Sequence, residues 1–95
     1  RQMCIRDSLT KAAAAMADLS ALAETFANNT DADVAPYAAF MAVIDRDARA
    51  SRAAVGIVLA QSGISSQLID NLNASIHLRA LLTDLFLVDE ALKGL

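Results

Sequence analysis

Ninety-five residues suffice for one domain with its own hydrophobic core. The chain is 56% hydrophobic with a mean hydropathy of +0.40, yet 21 residues are Ala, Trp is absent, and Gly and Pro number three and one. That composition favours helices over strands, and a net charge of −3 with a pI near 4.8 disfavours nucleic-acid binding, which draws its affinity from phosphate electrostatics.

A single cysteine, Cys4, cannot form an internal disulfide and fits a reducing compartment. The longest uncharged apolar run, Ala53 to Ala60, is far shorter than the roughly 20 residues of a membrane span. No stretch near the start has the apolar core of a signal peptide, so the expected location is cytoplasmic. The opening Arg1-Gln2-Met3-Cys4-Ile5-Arg6-Asp7-Ser8 resembles a translated sequencing-adapter stretch of the kind found at the ends of environmental gene fragments. The resemblance implies that residues 1–8 are non-native or disordered, that Cys4 carries no meaning, and that the chain is a piece of a longer protein. Residues 9–95 then form a single helical bundle domain. Without the first eight residues, 6 basic residues face 10 acidic ones, a net of −4.

The first predicted helix runs from about Ser8 to Ala27, with Asp7 or Ser8 as its N-cap. Ala12, Ala15, Leu19, Leu22 and Phe26 step by three and four along one face, beside Met16 and Ala23. Asn28-Asn29-Thr30-Asp31 supplies turn chemistry and ends it. The second runs from about Val34 to Ser62. Asp31 or Asp33 can cap it, and Pro36 in the first turn lacks an N–H that would be free anyway. Its stripe is Tyr37, Met41, Ile44, Ala48, Ser51, Val55, Val58 and Ser62, widened by Phe40 and Leu59, and Gly63 is expected as a left-handed stop. These two helices predict an antiparallel hairpin, with Ala12 and Ala15 facing Ala48 and Ser51 so that the axes approach to about 8 Å.

The third predicted helix spans Ser65 to about Lys93, with Gly94 as its stop. Leu68, Ile69, Leu72 and Ile76 lie on one face, whereas Leu78, Leu81, Leu85, Val88 and Leu92 lie on another, rotated by well over 90°. The switch falls at Asn73-Ala74-Ser75, where the helix either breaks or continues with two apolar faces. The expected fold is an all-α, three-helix up-down-up bundle.

Little in the sequence carries chemistry. His77 is the only histidine, and Asp70 and Asp84, seven residues either side, are poorly spaced to share a metal with it, so a surface or packing role is expected. No Gly-x-Ser-x-Gly turn, Gly-rich phosphate loop or Glu-x-x-His pattern occurs, and Glu24, Asp45, Asp84 and Glu90 fall mostly on predicted outer faces. Paired inward carboxylates are therefore not expected, and no catalytic, cofactor, metal or small-molecule site is assigned. Arg46, Arg49 and Arg52 form a basic strip that could meet an anion; a solvated face, with Asp45 paired to Arg49 and Asp47 in the same turn, is the plainer reading. Asn28-Asn29-Thr30 and Asn73-Ala74-Ser75 match the glycosylation pattern by chance, and Asp31 and Asp33 cap a helix rather than hold calcium.

Gly63, Ile64, Ile69 and Leu72 resemble the apolar and Gly spacing of a helix-turn-helix, with Ser66 to Asn73 as recognition helix. Leu59 stands where that motif prefers a small residue, and Ser65 to Ser75 contains Asp70 but no Lys or Arg, so a plain Gly stop is preferred. The expected function is a non-catalytic helical interaction or assembly module. The stripe Leu78, Leu81, Leu85, Val88 and Leu92 is its partner-binding face, joining two copies as a homodimer or docking a partner helix. Alternatives are a small helix-turn-helix-like DNA-binding regulator and the C-terminal helical fragment of a larger enzyme.

Overall fold

The computed structural model of the chain describes residues 2–29 and 31–94. Arg1, Leu95 and Thr30 of the expected turn lie outside the described residues. The fold is all-α: α1 (Gln2–Ala27), a 3₁₀ turn (Ala32–Val34), α2 (Ala35–Leu59), α3 (Ser66–Asn73) and α4 (Ile76–Lys93). The expected third helix is thus two helices.

Antiparallel pairing of α1 and α2 follows from the partners they share. Arg6 of α1 meets the carbonyls of Leu59 and Gln61, while Ser20 meets Asp45. α4 runs antiparallel to α2 as well: Ser51 bonds His77 near the start of α4, and Met41 packs with Val88 near its end. The long helices therefore alternate up, down, up around a central α2, and α3 crosses one end. The molecule is elongated, with extents of 48 × 21 × 18 Å.

The core divides along that length. At one end, here called proximal, Val55, Val58, Ile64 and Leu72 are buried together, with Ile5, Leu9, Ala13 and Leu78 packed on them. At the distal end Ala23, Ile44, Ala48 and Leu81 are buried, with Leu19, Phe40, Met41, Leu85 and Val88 against them. Met16 packs on both. The expected α2 stripe is the observed one from Ile44 to Val58, and Ala48 and Ser51 are fully buried at its centre. Ser62 instead lies beyond the helix and is exposed.

The inward face of α1 differs from its expected stripe. Ala15, Leu22 and Phe26 are exposed, and the buried line passes through Met16, Ser20 and Ala23. The physical reason is Ser20, a polar residue on the inner face whose hydroxyl donates to the Asp45 carboxylate. A hydrophobicity pattern reads such a position as outward and rotates the stripe.

Residues 2–8, expected to be non-native or disordered, are the first two turns of α1. Ile5 packs on the proximal core. Arg6 Nη1 donates to the Leu59 carbonyl at 3.0 Å and Nη2 donates to that of Gln61. Asp7 and Ser8 are consequently interior helical residues rather than caps, and Asp7 pairs with Lys11 at 3.1 Å.

This arginine also explains how α2 ends. The last four carbonyls of a helix lack intrahelical donors, and a basic side chain can supply them. Arg6 does so, and Gln61 Nε2 adds a bond to Ile57 at 2.8 Å. The helix stops at Leu59, and no glycine among the described residues has positive φ. Gly63 is therefore not the left-handed stop expected of it, whereas Gly94 is the expected stop of α4, at φ −79°.

Serines set the remaining boundaries. Ser65 is extended and its Oγ accepts the Leu68 N–H at 3.0 Å, which starts α3. Ser75, at φ −58° and ψ 131°, likewise accepts the His77 N–H at 3.2 Å and starts α4. That extended residue is the break between the two apolar faces. Asp31 accepts the Asp33 N–H at 3.1 Å and so caps the 3₁₀ turn. α2, which Asp31 or Asp33 was expected to cap, instead follows Val34 with no side-chain cap, because the turn intervenes, and Pro36 sits in its first turn.

Candidate functional site

The apolar stripe of α4 faces the opposite way from its expected role. Leu81 is only 6% exposed and sits in the distal core; Leu85 and Val88 pack against that core, and Leu78 against the proximal one. Leu92, 51% exposed, is the single member that emerges. The break at Ser75 is the cause, because it frees α4 to turn its own stripe onto α2 independently of α3. Leu78, Leu81, Leu85 and Val88 therefore hold the monomer together.

The surface left uncovered is different. Leu82, Phe86 and Leu87 of α4 are exposed, as are Leu22 and Phe26 of α1. Between these two helices runs an apolar groove of about 240 Å³, floored by Met41 and Ile44 of α2 and walled by Leu22, Phe26, Leu85 and Val88. On the other flank of α4 a second depression, of about 320 Å³, lies over Pro36, Tyr37 and Phe40. Among the described residues the backbones of α1 and α4 stay apart, each lying against α2, and only their side chains share the core. Ile57 and Ile76 are exposed at the proximal end as well, but only the distal side chains border an apolar groove, and such a groove is a common mark of an interaction site.

The polar features sort themselves by their partners. Arg49 Nε donates to Asp45 at 2.9 Å and its Nη2 reaches Glu24 at 3.0 Å, which joins α2 to α1. Asp45 is held below the usual carboxylate range, first by the hydrogen bond from Ser20, then by the bond from Arg49 and its charge. Arg49 and Arg52 border a shallow polar depression with Ala17, Ser20 and Glu24. The expected i,i+4 pair is present, and Arg49 is committed to two carboxylates rather than offered to an outside anion.

His77 is exposed at the start of α4, and its carbonyl accepts from the fully buried Ser51 at 2.9 Å. No group of three His, Cys, Asp or Glu side chains among the described residues is arranged to hold a metal ion. Among the described residues no helix is long and apolar enough to cross a membrane. In α3, Leu72 is buried and Leu68 and Ile69 pack beside it, while Gln67, Asp70 and Asn71 are exposed. The face that a helix-turn-helix would present to DNA thus carries an acid and amides, with no cation.

One arrangement was not expected at all. On the α2–α4 seam, loss of water, then the hydrogen bond and charge of Asp47 of α2, push the Asp84 carboxyl of α4 up to about 7. Each is half-buried, and Asp84 Oδ2 is buried without a donor. Both residues read as outward on a helical wheel of their own helix. Only the antiparallel register of α2 and α4, which spacing within one helix does not encode, brings them together.

Compared with protein-family models, curated proteins and solved structures, the chain matches none.

Proposed function

We propose that the chain is a non-catalytic helical assembly module that pairs with a second copy through the distal apolar groove. The observation that carries the reading is that groove, walled by Leu22 of α1, which is 70% exposed, and by Leu85 of α4, whose chain neighbour Phe86 is equally exposed. A three-helix arrangement in which α1 and α4 remain apart leaves a site of the kind that a fourth helix fills in a bundle. A two-fold pairing would let each copy offer its Leu82–Phe86 edge to the groove of the other, which buries both sets at once. The shape of the groove also bears on the occupant. It is below the usual volume of a small-molecule site and almost wholly apolar, which suits large side chains better than a polar ligand.

The experiment is the solution mass of the full chain by light scattering at high micromolar concentration, beside a Leu22→Glu, Phe86→Glu variant. A dimeric parent and a folded monomeric variant, judged by circular dichroism, support the reading. A monomeric parent, or a variant that remains dimeric, overturns it. Leu81→Glu with Leu85→Glu serves as the contrast: those side chains belong to the monomer core, so that variant unfolds instead of merely dissociating.

A further inference from the structure

α4 carries a second pattern on its open side. Arg79, Leu82, Phe86 and Asp89 follow at intervals of three, four and three, the seam spacing of a two-helix coiled coil. All four are exposed, Leu82 at 53% and Phe86 at 70%. At about 100° per residue this line lies roughly a third of a turn from the core stripe of Leu78, Leu81, Leu85 and Val88. The seam can therefore face another helix while the stripe holds α2.

The spacing reads the same from either end, with large apolar residues inside and opposite charges outside. A line of that kind is complementary to a reversed copy of itself. Reversal about the point midway between Leu82 and Phe86 brings 82 opposite 86 and 79 opposite 89.

We propose that two copies associate through antiparallel α4 helices, Leu82 of each packing on Phe86 of the other and Arg79 of each meeting Asp89 of the other. The inference rests on the homodimer proposed above and adds the direction and register of the pairing.

The charges supply the reason for a second copy and for its direction. Arg79 has no acidic partner among the described residues. At the other end of α4, Asp89 and Glu90 share the one cation Lys93, at 3.2 and 3.8 Å, which leaves a negative charge in excess. The exposed seam is thus positive where it begins and negative where it ends. Reversing one copy sets each positive end on a negative one, and two-fold symmetry makes the contact twice. Alignment in the same direction would set Arg79 on Arg79 and Asp89 on Asp89. Charge at flanking seam positions is what fixes orientation in paired helices, and the opposed helix dipoles favour the same arrangement.

The test begins with the full chain carrying Cys4→Ser, which removes its one thiol. Copies with Arg79→Cys are mixed with copies bearing Asp89→Cys, oxidised, and the products separated by mass. The mixed disulfide should exceed either self-linked product about tenfold or more. In the antiparallel pair the two copies of position 79 lie about 15 Å apart along the axis, beyond disulfide reach. Self-linked products in equal or greater yield overturn the proposal.

A charge exchange on the unmodified chain gives an independent readout by analytical ultracentrifugation at low salt. Arg79→Glu sets acid on acid at both ends and should weaken the dimer about tenfold. Arg79→Glu combined with Asp89→Arg exchanges the two charges and should return the dissociation constant to within about threefold of the parent. All of these positions are exposed, so helix content by circular dichroism should stay that of the parent. A single variant that dimerises as tightly as the parent, or a double variant no tighter than the single, overturns the antiparallel register and leaves the homodimer standing. A monomeric parent ends both.

Discussion

Ser20 and Ser51 are small polar residues on inner faces, and each is buried because its hydroxyl has a partner on another helix. Ser51 donates to the His77 carbonyl at 2.9 Å, and Ser20 donates to Asp45. The second bond sets a pH dependence. Asp45 is held below its usual value of 3.8, so its stabilising effect is present above that pH and is lost as pH falls through the lower folded value. Ser20→Ala removes the largest cause. The Asp45 midpoint should then move up toward 3.8 in a carboxyl-carbon titration, and the variant should lose stability at pH 7 but much less at pH 2. An Asp45 midpoint that stays put would show that Arg49 alone holds it. At this scale the sequence is least legible. Ser51 falls on the stripe by spacing, but Ser20 does not, because its partner lies 25 residues away and no local pattern reports it.

Elements were easier to foresee than their orientations. α2 was legible because apolar and small residues recur without interruption from Ile44 to Val58, and Pro36 marks its first turn. The break before α4 was legible too, as a change of apolar face at Asn73-Ala74-Ser75, although only the extended backbone of Ser75 decides between a kink and a stop. What spacing could not supply was which α4 face meets α2. A helix with leucines at positions 78, 81, 82, 85, 87 and 92 has apolar residues around most of its circumference, so the choice rests on tertiary packing. The consequence is measurable by urea denaturation. Leu81→Ala should cost about 3 kcal/mol, as expected for a truncated core leucine. Leu92→Ala, at the exposed end of the same stripe, should change stability by less than about 0.5 kcal/mol. Equal costs would mean that α4 is seated differently.

At the scale of the whole molecule, residues 2–8 are part of α1, and Ile5 and Arg6 complete the end of α2. The core they complete is one of two, and Met16 is the side chain common to both. A body 48 Å long and about 20 Å across, with its apolar clusters strung along the axis, can open at one end while the other stays closed. The expected unfolding is therefore sub-global, in two cooperative units joined through a flexible thioether side chain. Deleting residues 1–8 should raise amide exchange in α3 and the last two turns of α2 by at least tenfold, while amides around Ile44 and Leu81 slow their exchange as before. Uniform loss of protection would instead mark a single cooperative unit, with Met16 transmitting every disturbance from one end to the other.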